Sequence, residues 1–117
     1  MGVSTDAYLC FGYDLGADEE NEQCDLLREY DDAKYKKLSR AEEKHGVTLV
    51  NHCSDECTAR IVCDKSTCQR AFRGYPKHVT SLDAPTDAKA RIAAFLEELG
   101  LSQPEGEPRW LLASYWG

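Results

Sequence analysis

Four cysteines and a histidine crowd the middle of this 117-residue chain: His52, Cys53, Cys57, Cys63 and Cys68. Thiolate and imidazole donors on turns, commonly paired as Cys-x2-4-Cys, are what structural zinc takes, four to an ion. Cys53-x3-Cys57 and Cys63-x4-Cys68 approach that spacing. Cys63, however, follows Ile61 and Val62 in an expected strand, where a buried thiol packs as a small hydrophobe. Packing is the favoured reading, so no cofactor is expected. Zinc held by Cys53, Cys57, Cys63 and Cys68 is the alternative. A small cysteine-dependent enzyme is the second alternative. For that, Cys53 and His52 are poorly placed, since adjacent strand residues point to opposite faces. His45 or His78 would have to arrive through the fold.

The first 27 residues carry Asp6, Asp14, Asp18, Glu19, Glu20, Glu22 and Asp25 and no Lys or Arg. The other 90 residues balance, so the net charge of -7 belongs to this block. Calcium would want Gly at the sixth loop position and a carboxylate at the third. Counting from Asp14, those positions are Glu19 and Gly16. The block therefore reads as a solvated acidic loop or as a surface that meets a basic partner. Asp14, Asp18, Glu19, Glu20, Glu22 and Asp25 are the candidate partner-binding residues.

Arg60, Lys65, Arg70, Arg73, Lys77 and His78, interleaved with Phe72 and Tyr75, make the middle locally basic. Stacking plus phosphate contact would suit single-stranded nucleic acid. The overall acidity argues against it, and the plainer expectation is that this segment faces the chain's own acidic loop or helix. No Gly-rich phosphate loop, Gly-x-Ser-x-Gly or His-Glu-x-x-His occurs. No apolar run approaches the roughly 20 residues that span a bilayer. The start, Met1 to Asp6, has neither basic nor apolar signal character, so a cytoplasmic protein without membrane contact is expected.

The elements that must position these residues follow from pattern. Residues 6–13 are rich in strand formers, and 14–23 read as an acidic loop. A helix is expected from Asp25 to Lys44, with Leu27, Tyr30, Lys34, Leu38 and Ala41 along one stripe and Gly46 as its stop. Val47–Val50 and Ala59–Cys63 read as strands separated by a polar turn over 51–58. Asp64–Ser66 is a turn, and Cys68–Arg73 a further strand broken at Gly74-Tyr75-Pro76. A second helix, capped by Thr86 or Asp83, buries Ala88, Ile92, Phe95, Leu96 and Leu99 and stops at Gly100. Trp110–Trp116 suits a final strand whose aromatics read as core. The order is strand, helix, strand, strand, helix, strand. This predicts one α+β domain over residues 1–117: a mainly antiparallel sheet with two helices on one face, ferredoxin-like or a variant with an extra strand.

Three islands carry a resemblance: Gly2 to Asp14, His52-Cys53-Ser54 with Arg73-Gly74-Tyr75-Pro76, and the ending Trp110 to Gly117. Together they resemble small uncharacterised proteins of tailed bacteriophages, particularly those of actinobacteria. The resemblance transfers no activity. It implies action in the bacterial host cytoplasm, where small acidic phage products bind and inhibit host proteins of defence or nucleic-acid handling. The long charged helix and Cys57, Cys63 and Cys68 depart from that group's pattern. The expected function is a non-enzymatic protein that binds a host protein with a basic surface.

Overall fold

A computed structural model describes residues 5–17, 32–54 and 58–116. In chain order the elements are β1 (Thr5–Ala17), α1 (Asp32–His45), β2 (Val47–Ser54), β3 (Thr58–Asp64), a 3-10 turn (Lys65–Thr67), β4 (Gln69–Phe72), α2 (Ala88–Glu98) and β5 (Arg109–Trp116). This is the expected α+β order with β4 as the extra strand.

β1 is the hub of the sheet. One edge pairs antiparallel with β5 from Thr5↔Trp116 to Gly12↔Arg109. The other edge takes β4 at Asp6–Leu9 and then β3 from Gly12 to Ala17. β3 pairs antiparallel with β2. The ladder β2-β3-β1-β5 is thus antiparallel throughout. The sheet curls far enough for the ends of β2 and β5 to meet in parallel at Cys53↔Tyr115 and Ser54↔Trp116.

Two local devices let β1 change partners. At Gly12 a side chain would have nowhere to go: a Cβ there would lie 1.9 Å from the Val62 carbonyl oxygen and 2.7 Å from the Cys63 Cα. One residue earlier, in the gap between β4 and β3, the Phe11 N–H donates to the Thr67 hydroxyl at 3.0 Å. That hydroxyl in turn donates to the Asp64 carbonyl at 2.7 Å, so the 3-10 turn replaces the missing ladder partner.

The sheet separates two apolar clusters because strand side chains alternate between faces. Val47 and Val62 face the helices with Ala41, Ile92, Phe95, Leu96 and Leu101. Cys10, Val50, Ile61 and Cys63 form the opposite cluster, flanked by Tyr8, Cys68, Leu111 and Ala113. On α2, Ala88, Ile92, Phe95 and Leu96 are the buried stripe, and full burial of each large apolar side chain contributes roughly 1.5–3 kcal/mol. Gly100 ends the helix with φ +71°. Its N–H donates to the Glu97 carbonyl and that of Leu101 to Leu96, a Schellman closure.

Several boundaries differ from the sequence expectation. β1 runs on to Ala17, through the first four residues of the expected acidic loop, because β3 offers its backbone up to Ala59. A bulge between Asp14 and Gly16, closed by the Gly16 N–H donating to Asp14 Oδ1 at 2.9 Å, accommodates the polar sequence. The ladder pairs Asn51 with Arg60, His52 with Ala59 and Cys53 with Thr58, so residues expected as a polar turn are strand. The N-cap of α2 is Asp87 rather than Thr86 or Asp83, and its side chain makes no cap bond. Its carboxylate is taken by Arg91 one turn on, at 3.1 Å. The expected helix from Asp25 is described from Asp32 onward; residues 25–31 lie outside the described residues. Among the described residues no helix is long and apolar enough to cross a membrane.

Gly12→Ala should cost about 3 kcal/mol or more, since the clash is with backbone that has no room to yield. Gly74→Ala meets nothing within 4 Å and carries only the φ +82° conformation, so about 1 kcal/mol is expected. Urea unfolding of the two variants checks the ranking. Arg91→Met, which strands the fully buried Asp64 carboxylate, should also cost about 3 kcal/mol or more in the same assay.

Candidate functional site

Three thiols meet on the face of the sheet away from the helices. Cys10 points to that face from β1, two residues before Gly12. Cys63 points there from β3, where it pairs with Gly12. Cys68 joins them from the junction between the 3-10 turn and β4, next to the Leu9↔Gln69 pair. Cys10 and Cys63 are fully buried and Cys68 is partly exposed. All three are free thiols.

In an apolar layer, the thiols have one another as polar partners. All three pack in one cluster with Val50 and Ile61. Cys63 has a single S–H to offer its two neighbours, and that hydrogen bonding together with burial pushes its thiol far up, keeping it protonated. The same bond lowers Cys10, against the opposing effect of burial. At Cys68 the hydrogen bond from Cys63, assisted by the charge of Lys77, outweighs burial and brings the thiol down to about 7. Cys68 is therefore a substantial thiolate at neutral pH, and the thiolate is the nucleophilic form.

The surroundings are basic and aromatic. Burial raises the Tyr8 hydroxyl, so that it stays protonated. The Arg70 guanidinium lies 5.5 Å from the Tyr8 ring centre and 4.6 Å from that of Phe72. Its Nε donates to the buried Asp6 carboxylate at 3.0 Å, and a second nitrogen reaches the same oxygen. Beyond it, Phe72, Arg73, Tyr75 and Pro76 line an open groove with Thr5 and Asp6. Phe72 is 56% and Tyr75 75% exposed.

The structure regroups the residues singled out from sequence. Cys63 and Cys68 do come together, but with Cys10, which sequence reasoning treated only as a strand residue. Cys53 pairs with Thr58, while Cys63 pairs with Thr48. Five residues of ladder hold the two cysteines about 17 Å apart along the strand, so a single zinc ion does not take both. Cys57 lies outside the described residues. Among the described residues, no three His, Cys, Asp or Glu side chains are set to share a metal ion. Asp14 stands on β1 with its side chain 60% exposed and His52 Nε2 at 3.8 Å. Asp18, Glu19, Glu20, Glu22 and Asp25 lie outside the described residues. In the basic segment, Arg60 is buried and Arg70 is engaged by Asp6, a carboxylate of β1 rather than of the acidic loop or the helix. Trp110 packs against Phe11 with ring centres 5.5 Å apart. The local signal for Cys10 was the alternation Tyr8-x-Cys10-x-Gly12, matched by Ile61-x-Cys63 on the partner strand.

Alkylation of Cys68 by iodoacetamide should rise through about pH 7 and then level off. In Cys63→Ala the profile should move up toward the ordinary thiol range near 8.5. Peptide mass mapping of the labelled cysteine reads both profiles.

No protein-family model matches this chain, and neither does any curated protein or solved structure.

Proposed function

We propose that this chain is a non-enzymatic binding protein that engages a partner with a basic surface through Asp14, Asp18, Glu19, Glu20, Glu22 and Asp25. On the resemblance to phage proteins, that partner is a host protein in the bacterial cytoplasm, inhibited by being bound. The observation that carries the reading is the placement of unbalanced charge. β1 leads out to an exposed Asp14, and the acid-rich stretch follows directly. Many charges elsewhere are already engaged internally: Arg70 with Asp6, Arg91 with Asp64 and Asp87, Lys44 with Glu98, and Lys89 with Glu107. A one-signed run of charge of this kind steers encounter with an oppositely charged partner, and the attraction weakens as salt rises.

A second surface supports binding by a different route. β4 stands at the end of the strand order, with Phe72 and Tyr75 exposed beside the groove. An edge strand with flanking aromatics offers main-chain pairing and anchors to an extended segment of a partner.

Tagged protein used to capture partners from bacterial lysate separates the two surfaces. Reversing Glu19, Glu20 and Glu22 to Lys should abolish capture with thermal unfolding unchanged. Moderate salt should release the wild-type complex, since exposed charges are screened beyond about 10 Å at 0.1 M. Capture that survives the reversal but is lost in Phe72→Ala/Tyr75→Ala would move the site to the β4 edge.

A further inference from the structure

We propose that Cys68 and Cys63 form a peroxide-responsive thiol pair, with Cys68 as the attacking sulfur and Cys63 as the sulfur that resolves it. The arrangement supplies each requirement from a different residue. Cys68 is the partly exposed member of the cluster, whereas Cys10 and Cys63 are fully buried. An oxidant arriving from solvent therefore meets Cys68 first. Lys77 places a positive charge close enough to favour its thiolate. Cys68 packs against the apolar cluster that holds Cys63, five residues back across the 3-10 turn, so the second thiol lies beside the sulfur that is oxidised. Cys68 also sits at a weakly held point of the backbone. Its N–H reaches the Lys65 carbonyl at 3.3 Å, at the end of the 3-10 turn, before β4 pairing begins. The movement that closes a disulfide falls on this junction.

The chemistry closes with a hydroperoxide as oxidant. The Cys68 thiolate attacks the terminal oxygen; an S–O bond forms, the O–O bond breaks, and the leaving alkoxide or hydroxide takes a proton from water. Cys68 becomes a sulfenic acid, oxidised by two electrons, and the peroxide is reduced to an alcohol or water. Once Cys68 is a neutral sulfenic acid, the thiolate that favoured the Cys63 proton is gone; as that proton passes to the Cys68 hydroxyl, the Cys63 sulfur attacks Cys68 Sγ, an S–S bond forms, the S–O bond breaks and water leaves. The product ties the end of β3 to the start of β4 across the 3-10 turn.

The test is treatment of the reduced full chain with hydrogen peroxide at neutral pH. It is followed by quenching with N-ethylmaleimide and non-reducing peptide mapping. A Cys63–Cys68 disulfide should accumulate. Cys68→Ser should abolish oxidation of Cys63, because a buried thiol is reached only through Cys68. Cys63→Ser should leave Cys68 as a sulfenic acid that dimedone labels, while Cys10→Ser should still form the disulfide. The wild-type map decides the matter even where a variant does not fold. Cys68 remaining a free thiol while other cysteines oxidise would overturn the proposal. So would Cys68 paired with Cys10, Cys24, Cys53 or Cys57 in place of Cys63.

Discussion

The carboxylate of Asp64 is fully buried at the end of β3, and a buried charge is tolerated only where it is fully answered. Arg91 of α2 answers it directly, and Ser66 adds its N–H at 2.9 Å and its hydroxyl at 2.6 Å. The same guanidinium donates to the carbonyls of His45 and Gly46 at 3.2 Å. Those carbonyls lie at the C-terminal end of α1, where the helix dipole favours a cation. One side chain thus joins the end of β3, the α1–β2 corner and α2. The Lys65 N–H adds a bond to the Gly46 carbonyl from the 3-10 turn. This knot determines where the turn begins, and so where the chain re-emerges at Cys68.

The geometry of the thiol cluster follows from that knot and from β1. The turn that Asp64 initiates presents Thr67 to the Phe11 N–H, which lets β1 pass from β4 to β3 without leaving a buried donor unpaired. Gly12 then permits the contact with the Val62 carbonyl that brings β1 down onto β3. Cys10 and Cys63 are carried to the same face by these two contacts, and Cys68 closes the group from the turn. In this layer a thiol lowers its neighbour's pKa by hydrogen bonding to it, as a water molecule would at the surface.

The α+β class was legible because the elements that define it are locally periodic. Ala88, Ile92, Phe95 and Leu96 recur at helical spacing before Gly100, and Val47–Val50 and Ala59–Cys63 are short apolar runs. What was not legible depended on pairing. Nothing near Asp14 says that β3 will extend β1 through Asp14 and Gly16 to Ala17. Asp87 takes the N-cap position without a cap bond, because its carboxylate is drawn to Arg91. The spacing of Cys53, Cys57, Cys63 and Cys68 invited grouping by sequence distance. The ladder register grouped Cys63 and Cys68 with Cys10, 53 residues before Cys63 in the chain. A β-sheet brings distant residues together through register, and register is set by long-range contacts that a linear spacing rule cannot see.

The thiol cluster at the foot of β4 depends on this frame. The frame is tested most directly by labelling all cysteines with excess iodoacetamide across a urea series and reading each one by peptide mass. Cys68 should label in native buffer, and Cys10 and Cys63 should stay protected until the cooperative unfolding transition and then label together. Labelling of Cys63 in native buffer at the rate of Cys68 would contradict the account.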